Sequence, residues 1–197
     1  MTTPDPDRLY YLLSQMADDG VEYVFIEASS HALELDKLYP IHFSAAIFTN
    51  LTAEHLDFHG NMEKYIAAKK KLFTMSDLTV VNMDSKYYND IVGASAGRVV
   101  SCSESDRNAD YCAVDIVDHG IAGSNYTLRS SGTVIKLNCQ LPGRFNIMNT
   151  LQAAVCAIEL GICPTLIAKA ISSITGIEGR MEKIKLRPDI GFSVFID

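Results

Sequence analysis

Two short apolar runs that end in polar side chains constrain the fold of this chain most. Residues 21–26 are mostly apolar and lead to Glu27, and residues 45–48 are apolar and lead to Thr49 and Asn50. Short apolar runs are typical of buried parallel strands, and ligands of open α/β sheets gather at the carboxyl ends of such strands. We therefore predict two buried strands whose following loops face one crevice.

The second of these loops concentrates ionisable groups. It holds two carboxylates and two imidazoles within residues 54–59, namely Glu54, His55, Asp57 and His59. If the crevice forms, Glu27 and His55 can meet at one ion, and their oxygen and nitrogen ligands suit magnesium or manganese. A Glu or a His after a strand is also often a loop cap or a solvated charge. Residues 57–60 could equally be a turn that caps the helix beginning near Met62.

The rest of the chain predicts a mixed architecture. Buried strands are expected at 78–82 and 98–102, and helices at about 62–73, 148–160 and 165–174, with a first helix entered at Pro6. Between residues 109 and 141 apolar and polar residues alternate, which indicates antiparallel hairpins. The predicted fold is α/β, with a mostly parallel sheet flanked by helices and an added antiparallel β segment.

Composition excludes several classes of function. The chain has 197 residues, 48% of them hydrophobic, which suits one sizeable domain and part of another. The net charge of −7 argues against a nucleic-acid partner. The sequence lacks a long apolar span and a signal peptide, so we expect a cytoplasmic protein with no membrane partner. Five cysteines at irregular spacings indicate reduced thiols that act as small core residues.

Six motifs occur in an order that is shared with one enzyme family. They are residues 2–4 (TTP), 27–33 (EASSHAL), 49–60 (TNLTAEHLDFHG), 67–69 (AAK), 143–149 (GRFNIMN) and 179–182 (GRME). Together they resemble the central ATPase domain of the Mur ligases, most closely of the MurE type, the UDP-N-acetylmuramoyl-dipeptide ligases. The resemblance spans nearly the whole chain and implies a sheet of the P-loop type.

The resemblance also implies roles for individual residues. Metal-binding and catalytic roles, with Mg²⁺ as cofactor, fall on Glu27, His55 and a carbamylated Lys69. Substrate-binding roles fall on Thr2, Thr3, Ser29 and Lys37, and ATP-binding roles on Asn146, Asn149, Arg180 and Asp197. Simpler readings compete, because Thr before Pro commonly enters a helix and Asn commonly caps one. Where some family members carry Gln and Arg, this chain has Leu35 and Lys37. Leu35 cannot make the hydrogen bond of Gln, and Lys37 keeps the charge of Arg but not its two parallel hydrogen bonds.

The implied reaction is ATP-dependent addition of the third amino acid to UDP-MurNAc-L-Ala-D-Glu through an acyl-phosphate, in peptidoglycan synthesis. The partners would be the UDP-MurNAc-dipeptide, ATP and an amino acid whose identity the sequence leaves open. The chain contains no G-x-x-x-x-G-K-[ST] motif. We therefore expect a fragment that is truncated at both ends and inactive alone. Residues 1–178 would be the central domain without its P-loop, and residues 179–197 a linker and the first strand of a C-terminal domain.

Other functions remain open at this point. A folylpolyglutamate or cyanophycin synthetase type of ligase would share the ATPase fold but use another acceptor. A metal-dependent hydrolase could use Glu27, His55, Asp57 and His59 without ATP. A binding domain that has lost its P-loop in nature is a third reading.

Overall fold

The computed structural model describes residues 3–184 and 194–196, which form a mixed α/β fold. Its helices are α1 (Pro6–Asp18), α2 (Ser30–Glu34), α3 (Leu56–His59), α4 (Met62–Thr74), α5 (Tyr88–Ala94), α6 (Phe145–Glu159) and α7 (Pro164–Ser173). Its strands are β1 (Ala46–Phe48), β2 (Leu78–Asn82), β3 (Arg98–Ser103), β4 (Tyr111–Asp118), β5 (Ser124–Arg129), β6 (Val134–Cys139), β7 (Glu182–Ile184) and β8 (Val194–Ile196). No helix in these described ranges is long and apolar enough to span a bilayer.

The sheet topology confirms the predicted fold class. Strands β1 to β6 form one sheet in sequence order, and β7 pairs with β8 in a separate two-stranded sheet. Strands β3 and β4 are parallel, whereas β4, β5 and β6 are joined antiparallel. The alternation that predicted hairpins appears in β6, where Ile135, Leu137 and Cys139 are buried and the residues between them are exposed.

The chain divides into two compact units. Unit 1 comprises Met1–Ala46, Asn50–Thr79 and Tyr87–Val99, and unit 2 comprises Ile47–Thr49, Val80–Lys86 and Val100–Asp197. In unit 1, Leu9 of α1 and Leu33 of α2 are buried together with Leu38, and Ile26 and Ala28 pack against them. This core anchors the segment that leads into the candidate site.

Unit 2 is built around the long apolar helix α6. Buried residues of α6, including Leu151 and Val155, lie on a helix that contacts β4, β5 and β6, and α7 contacts β6. The side chain of Gln152 is also buried and donates to the carbonyl of Phe48 at 2.7 Å. The free thiols of Cys102, Cys112 and Cys139 are buried as expected, but Cys156 is only partly buried and Cys163 is exposed.

The strand predicted before Glu27 is wrong for this structure. Residues 21–29 are neither helix nor strand, and the apolar side chains of Tyr23 and Phe25 are 57% and 91% exposed. A strand forms only where a neighbouring strand pairs its backbone groups, and none of the described residues pairs with this segment. The apolar residues of this segment predict that it is buried, but no described strand lies beside it to bury it.

The proposed turn over residues 57–60 is also corrected. Residues 56–59 form the short helix α3, and Gly60 ends it with φ +78°. Helix α4 is capped instead by Asn61, whose side-chain oxygen accepts from the N–H of Lys64 at 2.9 Å. Asp57 and His59 therefore belong to α3 and do not cap α4.

Candidate functional site

Thr3 fixes the backbone on either side of Glu27 in unit 1. Its hydroxyl is buried, donates to the carbonyl of Glu27 at 2.9 Å and lies 3.3 Å from the Ser29 hydroxyl. The Ser29 side chain accepts from the N–H of Ala32 at 3.2 Å and so caps α2. Thr3 and Ser29 thus have structural bonds, and their contact with a substrate stays a prediction. Thr2 lies outside the described residues.

Lys69 projects from α4 towards the same loop. Its ammonium group donates to the carbonyl of Ala28 at 3.1 Å. Burial lowers the pKa of the Lys69 side chain below its usual range, and the negative charge of Glu27 acts in the opposite direction. A buried amine with a lowered pKa is more often neutral, and the neutral amine is the nucleophilic form. The structure therefore places Glu27 and the predicted modified lysine in one electrostatic neighbourhood.

His55 has a strained backbone at the entrance to α3. Its φ of 56° and ψ of 25° lie in the left-handed region, which costs a residue other than glycine about 1–3 kcal/mol. The His55 carbonyl accepts from the N–H groups of Phe58 and His59 at 3.2 and 3.0 Å, while the imidazole does not cap the helix. Such strain clusters at functional sites, so the conformation supports a role for the exposed His55 side chain.

His55 and three nearby aromatic side chains make up what we call the ring cluster: His31, His55, His59 and Tyr65. His59 stacks on Tyr65 with ring centroids 4.9 Å apart and an interplanar angle of 13°. Burial lowers the pKa of His59, as do the nearby imidazoles of His31 and His55, while Glu34 opposes them. His59 is therefore kept as a neutral, buried ring.

Lys37 has a partner that the sequence did not reveal. Its ammonium group lies 2.5 Å from the carboxylate of Asp5, and the Lys37 side chain is 16% exposed. The neighbouring Leu35 is well exposed. The structure thus gives Lys37 an ion pair that joins the turn after α2 to Asp5 at the start of α1, and its contact with a substrate stays a prediction.

The predicted ATP-binding residues belong to unit 2. Asn146 is buried, and its amide donates to the carbonyl of Pro142 at 2.9 Å. The exposed Asn149 donates to the side-chain oxygen of Asn146 at 3.1 Å. Arg180 is exposed beside the β7–β8 hairpin, and Asp197 lies outside the described residues. The Asn pair therefore forms one hydrogen-bonded unit on α6.

Sequence reasoning did not identify the ring cluster as a unit. His31 follows the Ser29–Ser30 pair, and Tyr65 stands four residues before Lys69 on α4, a spacing that places both on one face of that helix. The four-residue spacing of Tyr65 and Lys69 was the sequence signal from which Tyr65 could have been assigned to the site.

The unmodified side chains do not form a ready metal site. Within residues 3–184 and 194–196, no three His, Cys, Asp or Glu side chains are grouped closely enough to hold a metal ion. The predicted magnesium site differs because one of its three ligands would be a carbamate on Lys69.

Comparison of the sequence with known proteins identifies one enzyme family. Residues 1–157 match the model of the Mur ligase middle domain. The whole chain is 38% identical, over 200 aligned residues, to the UDP-N-acetylmuramoyl-L-alanyl-D-glutamate–2,6-diaminopimelate ligase of Clostridium perfringens, and it covers 41% of that protein. For the enzyme of the same name from Chlorobaculum tepidum, identity is 37%, over 93% of this chain and 38% of the relative.

Solved structures agree with the sequence comparison. A structure of a UDP-N-acetylmuramoyl-L-alanyl-D-glutamate–2,6-diaminopimelate ligase superposes with a TM-score of 0.86 at 28% identity, over 94% of this chain and 39% of that one. MurF from Acinetobacter baumannii shares the fold, with a TM-score of 0.66 at 20% identity over 74% of this chain and 32% of that one. The chain spans about two fifths of the length of the curated relatives that it matches.

Proposed function

Because the chain belongs to the Mur ligase family, through its middle domain, we propose that it is the ATP-using part of a ligase that joins 2,6-diaminopimelate to UDP-N-acetylmuramoyl-L-alanyl-D-glutamate. The observation that carries this proposal is the 38% identity, along the whole chain, to the Clostridium perfringens enzyme of that activity. We propose that this reaction belongs to peptidoglycan synthesis and takes place in the cytoplasm, and the use of ATP by Mur ligases supports that location.

The proposed reaction forms one amide bond in two steps. The D-glutamate carboxylate attacks the γ-phosphorus of ATP, the bond to the β,γ-bridging oxygen breaks, and ADP leaves. The amino nitrogen of the incoming residue then attacks the acyl carbon, and the tetrahedral intermediate expels inorganic phosphate. Two anions meet in the first step, so the site has to offset negative charge and hold the two groups in line.

Lys69 is proposed to supply an anionic oxygen ligand after modification. Its neutral amine attacks carbon dioxide, an N–C bond forms, and one proton passes to solvent, which leaves a carbamate. The lowered pKa of Lys69 supports this step because it favours the neutral amine. The carbamate, the Glu27 carboxylate and the His55 imidazole form a donor set that suits magnesium. Magnesium held there would offset the charges of the γ-phosphate and the attacking carboxylate.

The Asn pair on α6 is proposed to contact the adenine of ATP. Asn146 is buried and already bonded to the Pro142 carbonyl, whereas Asn149 is exposed. We therefore assign the direct contact to Asn149 and a supporting role to Asn146. Arg180 and Asp197 remain proposed ATP ligands, and Thr2, Thr3, Ser29 and Lys37 remain proposed ligands of the UDP-substrate.

The decisive experiment measures phosphate release by the full-length ligase that contains this chain. UDP-N-acetylmuramoyl-L-alanyl-D-glutamate, ATP and a panel of amino acids including lysine and 2,6-diaminopimelate would be supplied. We expect release only when the UDP-substrate and 2,6-diaminopimelate are both present. If lysine were the one amino acid that supports phosphate release, the acceptor would be lysine and not 2,6-diaminopimelate. No phosphate release with any amino acid would overturn the proposal. The 197 residues alone should show no turnover, because their sequence carries no P-loop motif.

Lys69→Ala tests the proposed chemistry in the same assay. We expect roughly a thousand-fold loss of rate, because charge stabilisation at such a site contributes several kcal/mol to the transition state. Lys70→Ala is the matched control, since Lys70 is the next lysine of α4 and lies 3.7 Å from the carboxylate of Asp90. Equal losses in both variants would exclude a specific role for Lys69.

A further inference from the structure

We infer that His31, His59 and Tyr65 are positioning residues for His55. Their rings hold the His55 imidazole in one orientation, on a backbone that is in the left-handed conformation. This inference rests on the proposed function, in which His55 is a magnesium ligand. It adds three residues to that site, and none of them would touch the metal or the reacting atoms.

The contacts in the ring cluster form a closed circuit. The His55 ring meets the His31 ring at 5.2 Å and 81°, and the Tyr65 ring at 6.2 Å and 80°, so both contacts are edge to face. His59 completes the circuit, stacked on Tyr65 and 5.7 Å from the His31 ring. Phe58 lies 4.0 Å from His31 on the other side. Each imidazole is therefore braced by at least two other rings.

Burial changes in steps across the cluster. His59 and Tyr65 are 4% and 6% exposed, His31 is partly buried, and His55 is exposed. His59 and Tyr65 are therefore the buried members of the cluster, and His55 is its single exposed member. That is the arrangement expected when inner rings support one working side chain.

His59 contributes to this support through its ring and not through hydrogen bonds. Its Nε2 atom is buried and has no hydrogen-bond partner among the described residues. A buried nitrogen without a partner adds no stability of its own, so the stacked area on Tyr65 is what the position supplies. A phenyl ring of similar size should therefore replace His59.

The strained backbone explains why His55 needs support. The left-handed conformation persists only where surrounding contacts determine it. The two N–H bonds to the His55 carbonyl fix the start of α3, but they leave the imidazole free to rotate. The edge contacts with His31 and Tyr65 restrict that rotation, and removing them should let the imidazole leave the orientation in which it would bind a metal.

The test measures the Mn²⁺ affinity of the full-length ligase that contains this chain, in bicarbonate buffer, from the electron paramagnetic resonance signal of free Mn²⁺. Mn²⁺ stands in for magnesium, so no turnover is needed. We expect His31→Ala, His59→Ala and Tyr65→Leu each to weaken binding about tenfold, as removal of supporting residues around metal ligands typically does. His59→Phe and Tyr65→Phe keep the rings and should stay within about twofold of the wild-type affinity, because packing is retained. His119→Ala, an exposed histidine of unit 2, is the unrelated control.

The outcomes separate this inference from the proposed function. If His55→Ala weakens Mn²⁺ binding but the ring-deleting variants do not, the positioning role is wrong while the metal role of His55 stands. If His55→Ala binds Mn²⁺ like the wild type, the proposed metal role fails first. Equal weakening by His59→Phe and His59→Ala would also overturn the inference, because ring packing would then be irrelevant. His31 is only partly buried, so His31→Ala remains informative if a deeper variant unfolds.

Discussion

The polar networks around Tyr126 and Asp84 in unit 2 differ from the ring cluster of unit 1 in how their polar groups are paired. In unit 2 the Tyr126 hydroxyl and the Thr150 hydroxyl pair at 2.9 Å in the interior, and the Asp84 carboxylate accepts bonds from Ser103, Ser105 and the N–H of Glu104. In unit 1 the backbone of His55 is strained, and the buried Nε2 atom of His59 has no partner among the described residues.

The difference indicates a division of labour. Mutually bonded polar groups and a long apolar helix stabilise unit 2, whose proposed ligand is ATP and not the metal ion. Strain and a buried nitrogen without a partner lower stability, and they are retained where a site requires them. We therefore expect substitutions in unit 2 to change stability with little effect on metal affinity, and substitutions in the ring cluster to weaken metal affinity.

The largest stability effect should come from Leu151→Ala in α6. Leu151 is fully buried, and removing a buried leucine side chain costs about 3 kcal/mol through lost transfer energy and a cavity. Urea unfolding followed by circular dichroism measures the change. Leu166→Ala on the exposed face of α7 is the control and should cost less than about 0.5 kcal/mol. A loss of Mn²⁺ affinity in Leu151→Ala equal to that in His31→Ala would break the proposed division.

A smaller effect with a defined pH dependence should follow Asp84→Asn. Burial acts to raise the pKa of Asp84, but the bonds from Ser103, Ser105 and the backbone outweigh it and lower the pKa below 3.8. The folded state therefore binds a proton less readily than the unfolded state. This contribution to stability is present above about pH 3.8 and is lost as the pH falls through the lowered folded-state pKa.

Asp84→Asn should remove that acid dependence. Near neutral pH we expect a loss of about 1 kcal/mol, because exposure of the carboxylate weakens hydrogen bonds that would be stronger in the interior. The measurement is the free energy of unfolding from pH 7 to pH 3. Glu178→Gln, at an exposed carboxylate, should leave the acid slope unchanged. An unchanged slope in Asp84→Asn would show that the network in unit 2 is not stabilising.

The smallest effect should come from the Asp5–Lys37 pair of unit 1. Asp5→Asn and Lys37→Gln should each cost less than about 1 kcal/mol, because one partner is largely exposed. In the full-length ligase, only Lys37→Gln should raise the KM for the UDP-substrate, since Lys37 is the proposed ligand. Equal KM values in the two variants would show that Lys37 has only a structural role. The Asp5–Lys37 pair would then stabilise the fold without binding substrate, like the polar network of unit 2.

Elements with strong local signals were predictable from the sequence. The strand at 78–82 is observed with the expected bounds, and helix α4 extends only one residue beyond its predicted end. The predicted helix at 148–160 begins earlier, at Phe145, because the apolar residues Phe145 and Ile147 already belong to its first turn. Periodicity reports which face of an element is buried, and this is what fixed these assignments.

Features that depend on distant partners were not predictable. The run at 21–26 has the composition of a buried strand, but composition does not say whether a neighbouring strand is present. The left-handed conformation of His55 and the ion pair of Lys37 with Asp5 depend on residues that meet only after folding. Motif resemblance predicted roles for Lys69 and His55, and it could not show the rings near His55.

The exposed run at 21–26 also affects how these residues behave in concentrated solution. Phe25 is 91% exposed in a segment whose backbone groups no described strand pairs. The backbone of such an exposed apolar segment can pair with the same segment of another molecule, and successive additions lead towards cross-β aggregates. We therefore expect the few residues just before Glu27 to limit the colloidal stability of these 197 residues, and a charged residue at position 25 to act as a gatekeeper against aggregation.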